Sequence, residues 1–198
     1  AVRPGMSAVR TAVILAAGRG TRLAGELTDR PKGFIRIGTR PIIEESIDRL
    51  VAAGIQDVIV VTGHLADYYE ELARGRAGLV QTVHNDRFAD SGSMYSLHCA
   101  RERVQGPFLL LESDLVYEPR ALTTLLAGPA EDAILLSGPT GAGDEVFVAT
   151  RGGLLAASVA ERLGMPFPLV EPQSGAASLF QNPPAVVRTN APNFQSLG

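Results

Sequence analysis

The sequence contains a single lysine, and its surroundings suit a cation that acts on a phosphate. Of the 18 Lys and Arg residues, only Lys32, within the segment RPKGF, is a lysine. An ammonium group is a compact charge on a flexible stem, whereas a guanidinium is a planar fork that favours fixed, bidentate contacts. A charge that develops on one phosphate oxygen is better met by the ammonium. Lys32 is therefore predicted to stabilise a reacting phosphate, the alternative being a surface lysine without a role.

A glycine-rich turn precedes this lysine in the segment LAAGRGTRL, residues 15–23. It lacks the third glycine of the dinucleotide fingerprint, because Leu23 stands there, and it lacks the Gly-Lys-Ser/Thr of a P-loop. We predict instead a loop whose bare backbone amides approach a triphosphate, assisted by Thr21 and Arg22. The stretch between this loop and Lys32 has no apolar period, which predicts a flap over a ligand.

Two carboxylates follow the most apolar predicted strand, PFLLLESD at residues 107–114. Alternation along a strand would place Glu112 and Asp114 on the same side. Open parallel sheets bind ligands at the carboxyl edge, where these two residues emerge. A carboxylate that faces a polyphosphate is best explained by Mg²⁺ between the two anions, and we predict Asp114 as its ligand. The alternative for Asp114 is a helix N-cap.

Basic residues are concentrated in one part of an acidic chain. The net charge is −3 overall, but residues 19–40 hold six basic and two acidic side chains, a local excess of +4. Such a small positive region favours a compact anionic ligand over a polymer, and the acidic total argues against a nucleic-acid partner. A solvated basic loop is the alternative.

The elements that must position these residues alternate between strand and helix. Strands are predicted at 12–18, 57–63, 79–83, 107–114, 132–137 and 145–150, and helices at 41–54, 65–74, 93–104 and 119–126. The helix at 93–104 is predicted to be capped by Ser91 or Ser93. Alternation from residue 12 to about 137 predicts a Rossmann-like α/β fold, a mostly parallel sheet with helices on both faces. Residues 151–153 are predicted to form a turn into a paired strand.

Composition divides the chain into three predicted segments. Residues 1–10 are expected to be an N-terminal extension, and residues 11–162 one domain. Residues 163–198 contain only two charged residues and six of the 13 prolines. We therefore expect an irregular or divergent C-terminal tail there, without helix or strand.

The expected cellular setting follows from cysteine and hydropathy. Cys99 is the single cysteine of the sequence, so an internal disulfide is excluded, which suits a reducing cytoplasm. No apolar run approaches the roughly 20 residues that span a bilayer, and the N-terminus lacks the pattern of a secretory signal. A cytoplasmic protein without a membrane partner is predicted.

The segments AVILAAGRGTRL and RPKGF resemble the signature of nucleotidyltransferases that load sugar phosphates or amino-alcohol phosphates onto a nucleotide. Within that superfamily the chain is most similar to cytidylyltransferases for phosphocholine and, above all, for 2-aminoethylphosphonate. The matching segments are PKGFIRIG (31–38), VTGHLADYYEEL (61–72), HNDRFADSGSMYSL (84–97), FLLLESDLVYE (108–118) and ILLSGPTGAGDEVFV (134–148). GSMYSL and GAGDEV point to the phosphonate branch, although Ala142 stands in place of a serine.

The resemblance implies a role for each matching position. For the nucleotide, the implied residues are the backbone of Leu15, Ala16, Ala17 and Gly18 at the cytosine, Gly20, Thr21 and Arg22 at the β- and γ-phosphates, and Asn85, Ser93 and Ser96 at the nucleoside. The implied catalytic residues are Lys32 and Arg22, and the implied Mg²⁺ ligand is Asp114. The residues implied for an acceptor ammonium are Glu112, Asp144 and Glu145. Asp144 as a turn residue and Glu145 as the start of a strand are the alternatives. The implied domain is a nucleotidyltransferase domain over residues 11–162.

The implied reaction is Mg²⁺-dependent transfer of CMP from CTP to 2-aminoethylphosphonate, with in-line attack and release of pyrophosphate. An ionised acceptor needs no base, so His64 is assigned to a strand–helix turn, and Tyr68 and Tyr69 are assigned to packing. The partners would be CTP and a small amino-alkyl phosphonate or phosphate, with a homodimer left open. The alternatives are a phosphocholine cytidylyltransferase, a sugar-1-phosphate nucleotidyltransferase, and a non-catalytic nucleotide-binding relative with a shortened C-terminus.

Overall fold

In a computed structural model, residues 9–20, 29–128 and 132–136 are described in full, and strands 146–151, 154–160 and 185–188 by their backbone. The chain divides into two compact units, Ala1–Val116 and Tyr117–Gly198. Within the described ranges, every helix is too short or too polar to cross a membrane.

The first unit is built around a parallel sheet. Its elements in chain order are β1 (Thr11–Ala16), a 3₁₀ turn (Lys32–Phe34), β2 (Arg36–Ile37), β3 (Arg40–Pro41), α1 (Ile42–Ala52), β4 (Asp57–Thr62), α2 (Ala66–Gly75), β5 (Val80–His84), α3 (Ser93–Ala100) and β6 (Phe108–Glu112). The four-stranded sheet has the order β5-β4-β1-β6, and every neighbouring pair in it is parallel. The predicted Rossmann-like α/β class is confirmed.

Continuous apolar runs place β1 and β4 in the centre of this sheet. Val13, Ile14 and the residues Val58–Val61 are at most 1% exposed. A strand with both faces covered typically consists of an unbroken run of aliphatic, mostly β-branched side chains. Strands β1 and β4 both have this pattern.

Helix α1 contributes an apolar stripe to the core. Ile43, Ile47 and Leu50 are 0% exposed and recur at the spacing of one helix face. Burying each aliphatic side chain contributes roughly 1.5–3 kcal/mol. The chain leaves the helix through Gly54, whose φ of +98° is a left-handed conformation that glycine adopts without a steric cost.

The strand order creates a crevice beside β1. From β1 the chain moves to one side through β4 and β5, and then returns to the other side as β6. The register sets Leu15 of β1 opposite Glu112 of β6. A sheet opens at such a reversal point between the carboxyl ends of its strands, which is where folds of this kind bind ligands.

The second unit differs from the expected continuation. It contains α4 (Pro119–Ala127), β7 (Ala133–Leu136), β8 (Val146–Arg151), β9 (Leu154–Ala160) and β10 (Ala185–Arg188). These strands form a separate sheet of order β7-β10-β9-β8, in which β7 is antiparallel to β10. Strand and helix therefore alternate as far as β7, as predicted, but β7 belongs to this second sheet and not to the parallel one. A four-residue apolar run carries no signal for strand direction, which its partner decides.

Two further predictions are settled by this sheet. Strand β9 pairs with β8 in antiparallel fashion, which confirms the predicted paired strand, whereas residues 152–153 of the predicted turn lie outside the described residues. Strand β10 lies in the segment for which no strand was expected, so that prediction is wrong at residues 185–188. The run AVVR is too short to show the alternation of a strand. Its strand conformation is stabilised by pairing with β7 and β9.

Candidate active site

A cleft opens at the carboxyl edge of the parallel sheet, between β1 and β6. Its walls come from the turn after β1, the 3₁₀ turn, α2 and the end of β6. The lining residues are Leu15, Ala16, Gly18, Gly20, Lys32, Tyr69, Glu112, Ser113 and Asp114. The sequence-predicted lysine, glycine turn and carboxylates thus meet in one place.

The glycine turn supports the stem of Lys32. Gly20 has a φ of +64°, a left-handed conformation that favours glycine. A Cβ atom added at Gly20 would lie 3.4 Å from Cγ and 3.5 Å from Cε of Lys32. The backbone of the turn therefore packs against the aliphatic part of the lysine, and its ammonium group is left to reach across the cleft.

Lys32 and Asp114 form an ion pair across the cleft. The Nζ atom of Lys32 lies 3.5 Å from Oδ2 of Asp114, with 32% and 38% of the two side chains exposed. The structure thus brings the predicted phosphate-binding lysine next to the predicted metal ligand. Partly exposed pairs of this kind contribute roughly 0–1 kcal/mol to stability, so the pair is better explained by the chemistry of a site than by folding.

Glu112 joins Asp114 on the same side of the cleft. Ser93 donates a hydrogen bond from Oγ to Oε1 of Glu112 at 3.3 Å. Loss of solvent around the Glu112 carboxyl raises its pKa, the Ser93 hydrogen bond opposes this, the charge of Asp114 raises the pKa further, and the charge of Lys32 lowers it. Two neighbouring carboxylates in a cleft favour the arrival of a cation.

The carboxylate pair fits the donor set of a magnesium ion. No cluster of three or more His, Cys, Asp or Glu side chains that could hold a metal occurs in the described part of the chain. Mg²⁺ commonly takes only one or two protein carboxylates and completes its shell with water and substrate phosphates. Glu112 and Asp114 match that requirement, and a full protein cage would not be needed.

Asn85 and Ser96 are buried and bonded to each other. Asn85 is 0% exposed and Ser96 is 5% exposed. The Nδ2 group of Asn85 donates to Ser96 Oγ at 3.0 Å and to Ser91 Oγ at 3.1 Å, and its Oδ1 accepts from the Arg87 backbone N–H at 2.9 Å. Neither Asn85 nor Ser96 is among the residues that line the cleft. Their contacts with a nucleoside therefore stay a prediction, and such contacts would require these buried side chains to become accessible.

The remaining predictions concern Ala17, the cap of α3 and four residues outside the described ranges. Ala17 is buried outside the cleft lining, and its carbonyl accepts a hydrogen bond from the His64 backbone at 3.3 Å. The predicted serine cap of α3 is wrong, because Gly92 is the N-cap and no side chain caps the helix. Four predicted site residues lie outside the described residues: Thr21, Arg22, Asp144 and Glu145.

Tyr69 and Ser113 are the lining residues that sequence reasoning missed, and Tyr69 is the more informative of the two. It was assigned to packing, and its ring is indeed buried, but the residue also lines the cleft. Burial raises the pKa of its hydroxyl, the neighbouring Ser113 hydroxyl and Gly33 backbone oppose this shift, and the charge of Asp114 adds to it. The signal in the sequence is weak, because a helical tyrosine on a buried face resembles any core aromatic.

Nucleotides bind at the switch point of doubly wound sheets, and this chain places its single lysine, its glycine turn and its carboxylate pair there. The fold and site thus define an α/β protein of the nucleotidyltransferase class. The chain belongs to the MobA-like NTP transferase domain family, whose model matches residues 12–166. This membership confirms the predicted superfamily.

Characterised relatives share part of their length with this chain. It is 38% identical over 130 residues to CMP-5'-(3-aminopropyl)phosphonate synthase of Streptomyces rubellomurinus, covering 65% of this chain and 21% of that protein. It is 35% identical over 114 residues to 2-aminoethylphosphonate cytidylyltransferase of Lancefieldella rimae, covering 57% and 46%. It is 35% identical over 99 residues to choline-phosphate cytidylyltransferase of Streptococcus pneumoniae, covering 50% and 42%. The chain spans less than half the length of each of these relatives.

Solved structures share the fold. CTP:phosphocholine cytidylyltransferase from Streptococcus pneumoniae matches with a TM-score of 0.61 and 25% identity, over 77% of this chain and 65% of that one. The inositol-1-phosphate CTP transferase from T. maritima matches with a TM-score of 0.66 and 22% identity, over 77% and 64%. At that identity the second likeness concerns the fold alone.

Proposed function

We propose that this chain transfers CMP from CTP to 2-aminoethylphosphonate or a close amino-alkyl phosphonate, with Mg²⁺ and with release of pyrophosphate. The observation that carries the proposal is the approach of Lys32 Nζ to Asp114 Oδ2, 3.5 Å apart at the reversal point of the sheet. Two relatives whose names include an aminoalkyl phosphonate product or substrate support the choice of acceptor.

The nucleotide would lie along the turn after β1. The backbone from Leu15 to Gly18 would meet the cytosine, and Gly20, Thr21 and Arg22 would hold the β- and γ-phosphates. Support comes from the open space around Gly18, where an added Cβ would meet nothing within 4 Å. A ligand can therefore approach the backbone closely at this glycine.

Asp114 would hold the magnesium ion, which leaves Glu112 for the acceptor. When bound, the ion would supply positive charge to the phosphate oxygens of CTP. In the structure the Asp114 carboxylate pairs with Lys32. Binding of a cation to Asp114 would leave the lysine ammonium available for the α-phosphate.

The transfer needs positioning and charge more than proton chemistry. A phosphonate oxygen of the acceptor attacks the α-phosphorus, a new P–O bond forms, and the bond to the β-phosphate breaks as pyrophosphate leaves with the electron pair. Lys32 would stabilise the negative charge that gathers on the α-phosphate oxygens. The acceptor is already ionised near neutral pH, so no base is needed, and the rings of His64 and His84 lie beside Phe88 instead.

The ammonium of the acceptor would pair with a carboxylate. Among the residues that the structure describes, Glu112 is the candidate for this role. Loss of solvent and the charge of Asp114 raise the pKa of its carboxyl, and a neighbouring ammonium would favour the ionised form. Asp144 and Glu145 remain proposed for the same role. Glu112→Gln should raise KM for the acceptor more than KM for CTP.

The proposal is tested by pyrophosphate release from each of the four nucleoside triphosphates with a panel of acceptors. Release that requires CTP, Mg²⁺ and 2-aminoethylphosphonate together is the expected result. Release with a hexose 1-phosphate, irrespective of an amine, would instead indicate a sugar nucleotidyltransferase. CTP binding by calorimetry without release from any acceptor would indicate a non-catalytic nucleotide-binding protein.

Phosphocholine is the second candidate acceptor. A choline-phosphate cytidylyltransferase is among the relatives, and a CTP:phosphocholine cytidylyltransferase is among the matching structures. The two acceptors differ at the cation, because a quaternary ammonium cannot donate a hydrogen bond to Glu112 whereas a primary ammonium can. A higher kcat/KM for 2-aminoethylphosphonate than for phosphocholine would favour the aminoalkyl phosphonate assignment, and the reverse order would favour phosphocholine.

A further inference from the structure

Tyr69 lies where three elements of the cleft meet. Its side chain belongs to α2 and is 1% exposed. The ring packs edge-on against Phe34 of the 3₁₀ turn, with centroids 5.1 Å apart. The residue nonetheless contributes to the wall of the cleft. The ring is therefore part of the core, and the hydroxyl is the part that reaches the site.

The hydroxyl contacts the neighbours of both charged residues. Tyr69 Oη donates to Ser113 Oγ at 3.5 Å, a long hydrogen bond, and it lies close to the backbone of Gly33. A Cβ at Gly33 would lie 3.0 Å from Tyr69 Oη and 3.0 Å from the Ser113 carbonyl oxygen. Gly33 follows Lys32 directly, and Ser113 directly precedes Asp114, so one hydroxyl group links the two backbones that carry the ion pair.

We infer that Tyr69 is a positioning residue whose hydroxyl sets the separation between the Lys32 ammonium and the Asp114 carboxylate. Its catalytic consequence rests on the proposed cytidylyl transfer, whereas its effect on the ion pair does not. Without the hydroxyl, Ser113 Oγ loses this hydrogen bond and Gly33 loses its contact with Oη, so the 3₁₀ turn is no longer tied to the end of β6. A small misplacement of a catalytic group is costly to a reaction that depends on alignment.

The matched pair Tyr69→Phe and Tyr68→Phe tests this inference. Tyr68 is the preceding residue on α2, its ring also packs on Phe34 at 5.2 Å, and its Oη donates to the Asp29 carbonyl at 2.8 Å. Each variant loses one hydroxyl from the same aromatic cluster, but only Tyr69 lines the cleft.

The single lysine provides a readout that is independent of activity. Isotope-labelled lysine gives one side-chain signal, from Lys32, in NMR spectra of the full chain. The Asp114→Asn variant marks where that signal lies when the ion pair is absent. Tyr69→Phe should move the lysine ε-methylene signal towards that position and lower kcat on the order of tenfold, with KM for CTP nearly unchanged. Tyr68→Phe should leave the signal and kcat as in the wild type.

A folded Tyr69→Phe variant with the wild-type lysine signal would overturn the inference, whatever its activity. If Tyr69→Phe does not fold, Ser113→Ala removes the other end of the same hydrogen bond, and the lysine signal is then decisive in the same way. If the wild type transfers CMP to no acceptor, the proposed function fails, but the comparison of lysine signals still decides whether Tyr69 positions the pair.

Discussion

The contacts of Lys32 explain why an arginine would not replace it. Gly20 packs on its methylene stem, and its ammonium lies 3.5 Å from Asp114. A guanidinium on a longer stem would have to bend away from the glycine turn or pair with both oxygens of the carboxylate. Either outcome holds the charge in the wrong place for an α-phosphate.

Lys32→Arg should therefore retain CTP binding and lose turnover on the order of 100-fold, as for a misplaced transition-state donor. Calorimetry with CTP and single-turnover pyrophosphate release measure the two effects separately. Arg36→Lys is the matched control, because Arg36 is exposed and bonds to the Thr39 carbonyl at 3.2 Å, outside the cleft. Equal rates for Lys32→Arg and the wild type would exclude the proposed role of the ammonium.

Asp114→Asn should weaken magnesium binding, because Mg²⁺ prefers charged oxygen ligands and the amide supplies only a neutral one. We expect about a tenfold or greater rise in the Mg²⁺ dissociation constant in the presence of CTP, in line with the loss of a principal ligand. Displacement of bound Mn²⁺ followed by electron paramagnetic resonance gives the constant without an activity assay. Asp67→Asn, an exposed carboxylate of α2, serves as the control. An unchanged constant for Asp114→Asn would remove this residue from the metal site.

Among the elements, α1 is tied to its neighbours by one carboxylate. Asp48 accepts from Arg76, at the end of α2, at 2.6 Å and pairs with Arg40 of β3 at 2.7 Å. Burial favours the neutral form of Asp48, but the hydrogen bonds and charges of the two arginines outweigh it and lower its pKa below the ordinary 3.8.

Asp48→Asn should lower the free energy of unfolding by about 1 kcal/mol at pH 7, a modest figure because the ion pairs are partly exposed. Since the folded-state pKa is depressed, this contribution is present above the ordinary pKa and is lost as the pH falls through the folded value. Urea unfolding across a pH series measures the difference. Glu70→Gln, an exposed exchange on α2, is the reference. A difference that persists undiminished at low pH would contradict the assignment.

The loop after β4 requires a glycine. A Cβ at Gly63 would lie 2.5 Å from Cβ of Phe88 and 2.8 Å from the Ala17 carbonyl oxygen. Both are closer than real contacts allow, and the second involves the backbone that leads into the glycine turn. The close approach of β4's end to β1's end therefore depends on the absence of a side chain at Gly63.

Gly63→Ala should destabilise the protein by roughly 1–3 kcal/mol, the cost of overpacking a filled site. Gly75→Ala is the matched control: an added Cβ at this α2 residue meets nothing within 4 Å, and alanine favours the helix. Thermal unfolding should therefore show a lower midpoint for the first variant and an equal or higher one for the second. The reverse order would refute the steric account.

Across the whole molecule, charge is distributed unevenly. The chain carries −3, yet residues 19–40 carry a local excess of +4 around the glycine turn and the lysine. We expect this asymmetry to favour a compact polyanion as ligand.

Affinity for CTP should therefore fall severalfold when the ionic strength rises from about 0.05 M to about 0.5 M, as screening shortens the reach of the charges. Cytidine, which lacks phosphates, is the matched ligand and should bind with little dependence on salt. Calorimetric titrations of both ligands measure the slopes. Parallel slopes for the two ligands would show that the basic region does not face the phosphates.

The α/β class and the position of the cleft can be predicted from the local chemistry and periodicity of the sequence. The apolar runs of β1 and β4, the single lysine, the glycine turn and the acids after β6 all follow from neighbouring residues, and they predict both the α/β class and the cleft. Burial of a strand and the chemistry of its terminal residues are properties of a few consecutive side chains, so the sequence alone suffices for them.

Contacts between distant parts of the chain decided the rest. Strand β10 exists as a partner of β7, and Tyr69 donates to Ser113 and lies against Gly33. In each case the residue's own surroundings in sequence are compatible with several states, and the state is selected by a partner that the fold brings close. Strand pairing and buried hydrogen bonds depend on which groups meet, and that information lies in the tertiary structure.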